Sequence, residues 1–488
     1  MAENQGPASE TSPLLGERSE PYSIFTTAQK RLIILTAALA SSFSPLSANI
    51  YYPALNSIAA DLGVSSSQIN LTITTYMLCQ GVAPAFMGSF ADQAGRRPAY
   101  ILCFGIYIVG NLALALQHSY PALLILRAMQ SCGSSGTVAL ASAVAADVIT
   151  SAERGTYMGI TSLGIILAPS VGPLLGGLLS QYLGWQAIFW FLAIASSIFF
   201  LPLLLFFPET CRNIVGDGSI VPQGWNRSVL VWYRQQHSPG SPLPTSPVKE
   251  RIALPNPLST LRLLLHRPTG FVLLSNGLLF ASYYAVTAGI PSQFKDLYQM
   301  NDLAIGLVFI PAGIGSLLST TFNGLILDWN YRRMQRRVGL PVQKSRQTHG
   351  AFPIEQVRLQ ICLPLIVSSL STATNRVTPP PPPLWHGLAL IFTISFAITA
   401  AYNIMNILIV DLYYATPATA MAANNLVRCI LGAGATGLVH PAILRWGTGR
   451  TYGVVGGVVG GIVCLLLVVY VKGMGWRQGV ADGEIEAE

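Results

Sequence analysis

Charged side chains are rare in this chain, and two similar clusters of them interrupt its apolar segments. The clusters read GSFADQAGRRPAY at residues 88–100 and GLILDWNYRR at residues 324–333. Their side chains with ionic or turn-forming chemistry are Asp92, Gly95, Arg96, Arg97, Asp328 and Arg332. An aspartate in such a place requires a positive partner, while the arginines can meet the negative end of the preceding helix. We interpret the clusters as gating elements; the alternative is an anchor that only fixes topology, which would need arginine but not aspartate.

Two further arginines, Arg127 and Arg428, lie within apolar segments. A charge deep in a membrane costs about 2.5 to 3.5 kcal/mol on insertion scales and usually faces an aqueous cavity. We therefore predict that they are cavity residues and that at least one of them lines the substrate path; the alternative is a structural arginine bound by helix carbonyls. No Asp or Glu falls in the middle of an apolar segment, which favours anionic or neutral cargo. The polar residues predicted to share this cavity are Asn49, Gln80, Tyr284, Asn406 and Asn425.

The segments that carry these residues are long and apolar. Of the 488 residues, 51% are hydrophobic and 10% are charged, whereas soluble domains contain about 25% charged residues. Windows of about 20 apolar residues, the length that crosses a bilayer core, recur twelve times. They lie at residues 31–53, 67–91, 98–117, 121–149, 154–183, 185–207, 268–291, 303–327, 357–375, 384–411, 417–442 and 451–471. The pattern predicts an all-α membrane protein with twelve transmembrane helices.

The 28 Lys and Arg residues give a net charge of +8. Two of these residues are the arginines within spans. If the N-terminus is cytoplasmic, all the others lie on the inner side except four on the outer side, Lys295, Arg376, Arg445 and Arg450. This bias follows the positive-inside rule, so we predict cytoplasmic termini and no nucleic-acid partner. The seven cysteines lack the spacing of a disulfide framework or a zinc site, and we predict no metal and no cofactor.

The chain divides into two similar halves. Asp92 and Asp328 follow the second and eighth spans, and Asp147 and Asp411 end the fourth and tenth. Two such halves are typical of one class of secondary transporters. We predict two pseudo-symmetric six-helix bundles at residues 30–207 and 268–473. A disordered cytoplasmic tail (1–29), a cytoplasmic linker (208–267) and an acidic cytoplasmic tail (474–488) complete the chain.

Several of these motifs resemble the major facilitator superfamily. GSFADQAGRRP is similar to its cytoplasmic signature, LILRAMQSCGSSG at 124–136 to its fourth-helix signature, and GIILAPSVGPLLGG at 164–177 to the fifth-helix signature of its antiporters. NIYYPALNSIAADLGVS, PETCRNIVGDGS and NNLVRCILGAG resemble the fungal twelve-helix drug:proton antiporters, including quinidine-resistance and citrate-exporter members. The resemblance covers roughly residues 25–477 and implies the major facilitator fold.

The resemblance also implies roles for particular residues. Asp92 would meet the N-terminal end of the eleventh helix, near residues 417–419, when the inner gate closes. Gly172, Pro173 and Gly176 of the fifth-helix signature would permit the close packing and bending needed for switching.

These observations predict a transporter rather than an enzyme. The sequence contains no phosphate-binding loop of an ATP-driven pump and no nucleophile with a base inside the spans. We expect a monomer in the lipid bilayer that exports a small drug, secondary metabolite or organic acid by alternating access, coupled to protons. The alternative is an exporter of a citrate-like acid with no obligatory proton antiport. We favour the plasma membrane over a vacuolar or endosomal membrane.

Overall fold

A computed structural model describes residues 23–149, 154–220, 222, 224–229, 269–338, 352–373, 383–412 and 417–485. The tail before residue 23 and most of the predicted linker lie outside this set. The described residues form helices and no strands. The helices are α1 (Thr27–Asn49), α2 (Leu55–Asp61), α3 (Ser66–Ala94), α4 (Arg96–Leu116), α5 (Tyr120–Val148), α6 (Arg154–Leu183), α7 (Gln186–Phe206), α8 (Arg212–Val215), α9 (Thr269–Tyr298), α10 (Asp302–Val308), α11 (Ile310–Val338), α12 (Ile354–Ala373), α13 (Leu384–Leu412), α14 (Pro417–Trp446) and α15 (Thr448–Ile485).

Each of the twelve predicted spans corresponds to a helix of 20 residues or more. Among the described residues, eight helical segments are both long and apolar enough to cross a membrane. The last helix, α15, continues to Ile485, although the final apolar window ends at residue 471 and an acidic tail was predicted from residue 474. An apolar window marks only the part of a helix that lipid can cover, so a helix can continue beyond the end of its window.

Local sequence signals explain where two of the long helices begin. Thr26 precedes α1 and forms a capping box with Gln29, in which each side chain binds the backbone N–H of the other residue. Ser65 and Gln68 form the same arrangement at the start of α3. These bonds satisfy backbone donors that the first turn of a helix leaves without partners.

The long helices pair in the same way in both halves of the chain. In the first half α3 packs on α5, α1 on α6, α4 on α5 and α4 on α7; in the second, α11 packs on α13, α9 on α14, α12 on α13 and α12 on α15. Two pairs of long helices join the halves, α3 with α14 and α6 with α11, and the short helices α10 and α2 add contacts with α6 and α9. The two long pairs are also equivalent, because each combines the second long helix of one half with the fifth of the other.

The pair α3 and α14 is close at one end and separates toward the other. A Cβ at Gly81 of α3 would lie 2.8 Å from Cys429 Cβ of α14. Gly88 lies seven residues later, on the same face of α3 and about 10 Å further along its axis. A Cβ there would find no atom within 4 Å. The two helices therefore diverge between Gly81 and Gly88.

The second pair, α6 and α11, diverges in the same direction. Gly313 of α11 packs directly on Ser170 of α6, whereas Gly324, eleven residues later and on the same face, has open space around it. We call the end that contains Asp92 and Asp328 the inner end, and the opposite end the outer end. The halves touch at the outer end and separate toward the inner end.

Apolar side chains seal the outer end. Ile305 and Val308 of α10 and Phe309 belong to the same buried cluster as Tyr52 and Ile50 of the first half. The ring of Tyr52 stacks on that of Phe309, with centroids 5.9 Å apart. Burying such rings removes a large apolar area from water, which stabilises the contact between the halves.

Candidate substrate site and gates

The inner end of the first half contains a buried ion network centred on Arg96. Its Nη1 lies 2.5 Å from Asp92 Oδ1, and its Nε lies 2.8 Å from Asp147 Oδ2. The Asp147 side chain is 9% exposed and that of Asp92 is 59% exposed. Three of the residues predicted from sequence thus meet here. They tie the end of α3, the start of α4 and the end of α5 into one unit.

Glu209 completes this inner end, and the sequence analysis gave it no role. Its carboxylate accepts backbone N–H bonds from Arg96 at 2.8 Å, Arg97 at 3.1 Å and Cys211 at 2.9 Å. It therefore caps the N-terminus of α4 with a negative charge. Burial raises the pKa of Glu209 above its usual range, and these backbone donors oppose that rise.

Gly95 and Arg97 belong to the same turn. Gly95 has a φ of 112°, and a Cβ there would lie 2.5 Å from Oε2 of Glu209 and 2.5 Å from Oδ1 of Asn226. Both the backbone conformation and the space require glycine. Arg97 Nη2 donates to the carbonyl of Leu204 at 2.5 Å, so this arginine binds the end of α7 and not a carboxylate.

The second half repeats only part of this network. Arg358 Nε lies 3.0 Å from Asp411 Oδ2, which matches the pair of Arg96 with Asp147. Asp328 and Arg332 are exposed on α11, and within the described ranges neither forms a salt bridge. The turn at Gly95 carries Arg96 to the buried Asp147 at the end of α5, whereas α11 continues as a helix to Val338 and keeps Asp328 and Arg332 on its exposed surface.

Arg127 is enclosed by the first half and is 1% exposed. Its guanidinium lies between the rings of Tyr51, at 4.1 Å, and Tyr76, at 4.4 Å. Its Nη1 donates to Gln130 Oε1 at 2.6 Å, while Nε has no hydrogen-bond partner. Gln130 in turn donates to Asn111 Oδ1 at 2.7 Å. Two aromatic faces and an amide thus compensate the charge, and cargo cannot reach it in this conformation.

Arg428 is held differently, at the place where α3 and α14 begin to diverge. Its Nε and Nη2 donate to Asn425 Oδ1 at 3.0 and 2.7 Å, and its Nη1 donates to the hydroxyl of Tyr402. The ring of Phe280 lies 5.1 Å from the guanidinium, and the ring of Tyr284 lies 4.4 Å from that of Phe280. Arg428 remains partly exposed, and none of the described carboxylates pairs with it.

Asn425 connects Arg428 to the opposite half. Its Nδ2 donates to the backbone carbonyls of Gln80 at 3.1 Å and Gly81 at 3.4 Å on α3. The predicted cavity residues Asn425 and Gln80 therefore meet, although Gln80 contributes its backbone. One amide side chain links the guanidinium to the contact between the halves.

Asn406 belongs to a triad of asparagines in the second half. Asn276 Nδ2 donates to Asn406 Oδ1 and to Asn424 Oδ1, both at 2.9 Å, and Asn424 Nδ2 donates to Asn406 Oδ1 at 2.9 Å. The triad joins α9, α13 and α14. Asn424 has no distinguishing signal in the sequence, because its neighbour Asn425 looks identical.

The fifth-helix signature lies at two contacts. Gly172 and Gly176 face α1: a Cβ at Gly172 would lie 2.9 Å from Asn49 Cβ, and Gly176 packs on the carbonyl of Ile50. Asn49 is 7% exposed and donates to Pro45 O at 2.7 Å within α1. Pro173 faces the other half, where a Cβ at Gly306 would lie 2.6 Å from its carbonyl oxygen.

Equivalent helix pairing in two halves, a sealed outer end, an open inner end and an arginine between the halves define a class of protein. They are the features of a multi-pass membrane transporter that binds a small molecule within the membrane. The chain belongs to the Major Facilitator Superfamily, whose family model matches residues 37–437.

Named relatives come from fungi. The MFS-type transporter phiD of Fungal sp. is 43% identical over 475 residues, which cover 96% of this chain and 72% of that protein. The MFS-type transporter tstD of Talaromyces stipitatus is 40% identical over 493 residues, covering 98% and 88%. Citrate exporter 1 of Aspergillus niger is 33% identical over 485 residues, covering 96% and 91%.

Solved structures share the fold at low identity. A crystal structure of a D-xylose-proton symporter aligns with a TM-score of 0.62 at 15% identity, covering 90% of this chain and 96% of that one. A human organic anion transporter aligns with a TM-score of 0.53 at 17% identity, covering 90% and 99%. Together the comparisons confirm the predicted superfamily, the all-helical major facilitator fold and a transporter rather than an enzyme.

The two carboxylates bound to Arg96 should contribute differently to stability. We expect Asp147→Asn to lower the free energy of unfolding by about 3 to 5 kcal/mol, because it leaves a buried arginine without its buried partner. Asp92→Asn should cost about 1 kcal/mol or less, because the Asp92 carboxylate is largely exposed. Thermal unfolding of the purified variants measures this difference. Equal losses of stability would contradict the unequal burial of the two ion pairs.

Proposed function

We propose that the chain exports a small organic anion by alternating access, using the proton gradient. The observation that supports this most strongly is Arg428, a partly exposed residue between the halves with no carboxylate partner among the described residues. Such a group binds a carboxylate through two parallel charge-assisted hydrogen bonds. Phe280 and Tyr284 beside it would cover an apolar or aromatic part of the cargo.

Arg428 fits the role of the cargo residue better than Arg127. Cargo entering from the inner end meets Arg428 where α3 and α14 separate, whereas Arg127 lies behind Tyr51 and Tyr76 in the first half. A carboxylate that replaced Asn425 as the partner of Arg428 would also release the side chain that binds α3. Cargo binding would thereby act directly on the contact between the halves.

The charged clusters at the inner end would form the second gate. In this conformation the Asp92 carboxylate is largely exposed, and among the described residues it pairs with Arg96 of its own turn. Closure would bring it to the N-terminus of α14 at residue 417, where free N–H groups attract a negative charge. Asp328 and Arg332, which lie on α11, would have the equivalent gating role in the second half. Gly172, Pro173 and Gly176 would allow α6 to move against α1 and α10.

A second candidate cargo is a citrate-like acid, released without obligatory proton antiport. The similarity to Citrate exporter 1 supports it. The charge of a citrate-like acid argues against it. The guanidinium of Arg428 can neutralise one carboxylate, and the other carboxylates of a tricarboxylate would have no cationic partner there. A monocarboxylate with an apolar body fits the site better. We place the transporter as a monomer in the plasma membrane, with the inner end in the cytoplasm.

The cargo proposal predicts a charge-dependent effect of Arg428. In vesicles supplied with a panel of radiolabelled carboxylates and their neutral esters, Arg428→Gln should weaken carboxylate binding about a hundredfold, because it removes a desolvated charged pair. Arg428→Lys should be intermediate, since an ammonium cannot form the planar fork. Arg127→Gln serves as the control. It should lower stability, and its effect on binding should differ less between the charged acids and the neutral esters. Equal losses for acids and esters in Arg428→Gln would contradict the proposal.

Proton coupling makes a separate prediction. Carboxylate accumulation in inside-out vesicles should require an imposed pH gradient, and a protonophore should abolish it while leaving counterflow exchange of the same cargo unchanged. The counterflow control matters because it reports cargo binding and alternation without any net driving force. Accumulation that persists in the presence of the protonophore would instead favour the citrate-like alternative without obligatory proton antiport.

A further inference from the structure

Asp302 occupies the centre of the sealed outer end. It is the first residue of α10, a seven-residue helix whose start is fixed by Asn301, since Asn301 Oδ1 accepts the N–H of Ala304 at 2.9 Å. Asp302 is 8% exposed. Its Oδ2 accepts hydrogen bonds from Ser57 Oγ and Ser180 Oγ, each at 2.5 Å.

Both hydroxyl donors belong to the opposite half. Ser57 lies on α2, which follows α1, and Ser180 lies near the outer end of α6. A single carboxylate oxygen therefore holds two separate elements of the first half against the second. Bonds to an ionised acceptor are roughly twice as strong as those between neutral groups.

The backbone at Asp302 packs closely against the opposite half. A Cβ at Gly177 of α6 would lie 2.5 Å from the Asp302 carbonyl oxygen, so the backbones of the two halves are in direct contact. Beside it, Asn56 Nδ2 donates to the carbonyl of Pro291 at 2.9 Å. Other hydrogen bonds between the halves in the described ranges join amide, hydroxyl, imidazole, thioether and backbone groups.

The corresponding short helix of the first half carries its carboxylate at the opposite end. Asp61 ends α2, the short outer helix that corresponds to α10, and it accepts the indole N–H of Trp185 at 2.8 Å within its own half. Asp302 thus bonds across to the opposite half, whereas Asp61 bonds within its own half. Asp61 therefore serves as a control for Asp302.

We propose that Asp302 is the outer latch of the transporter: with Ser57 and Ser180 it holds the outer end closed and thereby sets the balance between the two facing states. The inference rests on alternating access, but not on the identity of the cargo. Opening the outer end must break both hydrogen bonds to a charged oxygen together with the apolar contact beneath them. Weakening the latch should therefore favour the state that faces outward.

Cysteine accessibility on both sides of the membrane tests this inference without cargo. One reporter, Ala288→Cys, lies at the closed contact between the halves, where Ala288 is 2% exposed. The other, Gly88→Cys, lies on the open inner face of α3. Each is placed in full-length protein whose Cys79, Cys132 and Cys464 are replaced by alanine, and is labelled with a membrane-impermeant maleimide from the outer or the inner side.

We expect Asp302→Asn to accelerate outer labelling at residue 288 by about tenfold or more, which corresponds to about 1.4 kcal/mol or more, and to slow inner labelling at residue 88. The double variant Ser57→Ala with Ser180→Ala should do the same, because it removes the donors and keeps the carboxylate. Asp61→Asn should leave both rates near those of the native protein.

The opposite directions at the two reporters separate a shifted equilibrium from unfolding, which would accelerate both. The latch is wrong if neither the Asp302 variant nor the serine pair changes outer labelling, or if both reporters become faster in these variants. It is also wrong if Asp61→Asn has the same effect as Asp302→Asn. Because labelling needs no cargo, a transporter of some other compound would still show the predicted shift, so the cargo proposal can fail separately.

Discussion

A charge surrounded by lipid must be compensated by the protein, and this constraint governs how the two buried arginines are built into the fold. Arg127 has two tyrosine faces and a glutamine, and it is sealed from solvent. Arg428 has one asparagine, one tyrosine hydroxyl and the edge of an aromatic cluster, and it stays partly exposed. The first arrangement is closed to a ligand although Arg127 Nε has no hydrogen-bond partner, whereas an anion could replace Asn425 in the second.

The remaining polar groups divide between holding each half together and joining the halves. The network of Asp92, Arg96, Asp147 and Glu209 ties four segments of the first half, and the pair of Arg358 with Asp411 is its counterpart in the second. Such units allow each bundle to move as a rigid body. Contacts between the halves are instead concentrated at the outer end and at the level of Asn425, so a movement there changes which end is open.

The helices and the pairing of Asp92 with Arg96 could be predicted from the sequence, because local pattern determines both. Apolar length located the helices, and the spacing within ADQAGRRP brought Asp92 and Arg96 together, because one helix end and one tight turn position both residues. Glu209, Asp302 and Asn424 could not be predicted in this way. Glu209 binds residues more than a hundred positions earlier in the chain. Asp302 lies outside the apolar windows, and its partners come from the other half.

The second charged cluster shows the limit of a repeat seen in sequence. Asp328 and Arg332 match the spacing of Asp92 and Arg96, yet a helix that does not turn leaves them exposed on one surface. The two sequence motifs are similar, but their charged residues lie in different environments because the turn at Gly95 has no counterpart in α11. The partner of Asp411, Arg358, comes instead from the start of α12.

An anion bound at Arg428 should change which end of the transporter is open. Spin labels at Gly88→Cys and Gly324→Cys, both in open space at the inner end, report the separation of the halves by pulsed electron paramagnetic resonance. We expect a saturating carboxylate to shorten this distance in the native background and to leave it unchanged when Arg428→Gln is added. The same shortening in the Arg428→Gln protein would contradict this role of Arg428, because cargo would then act on the halves without that guanidinium.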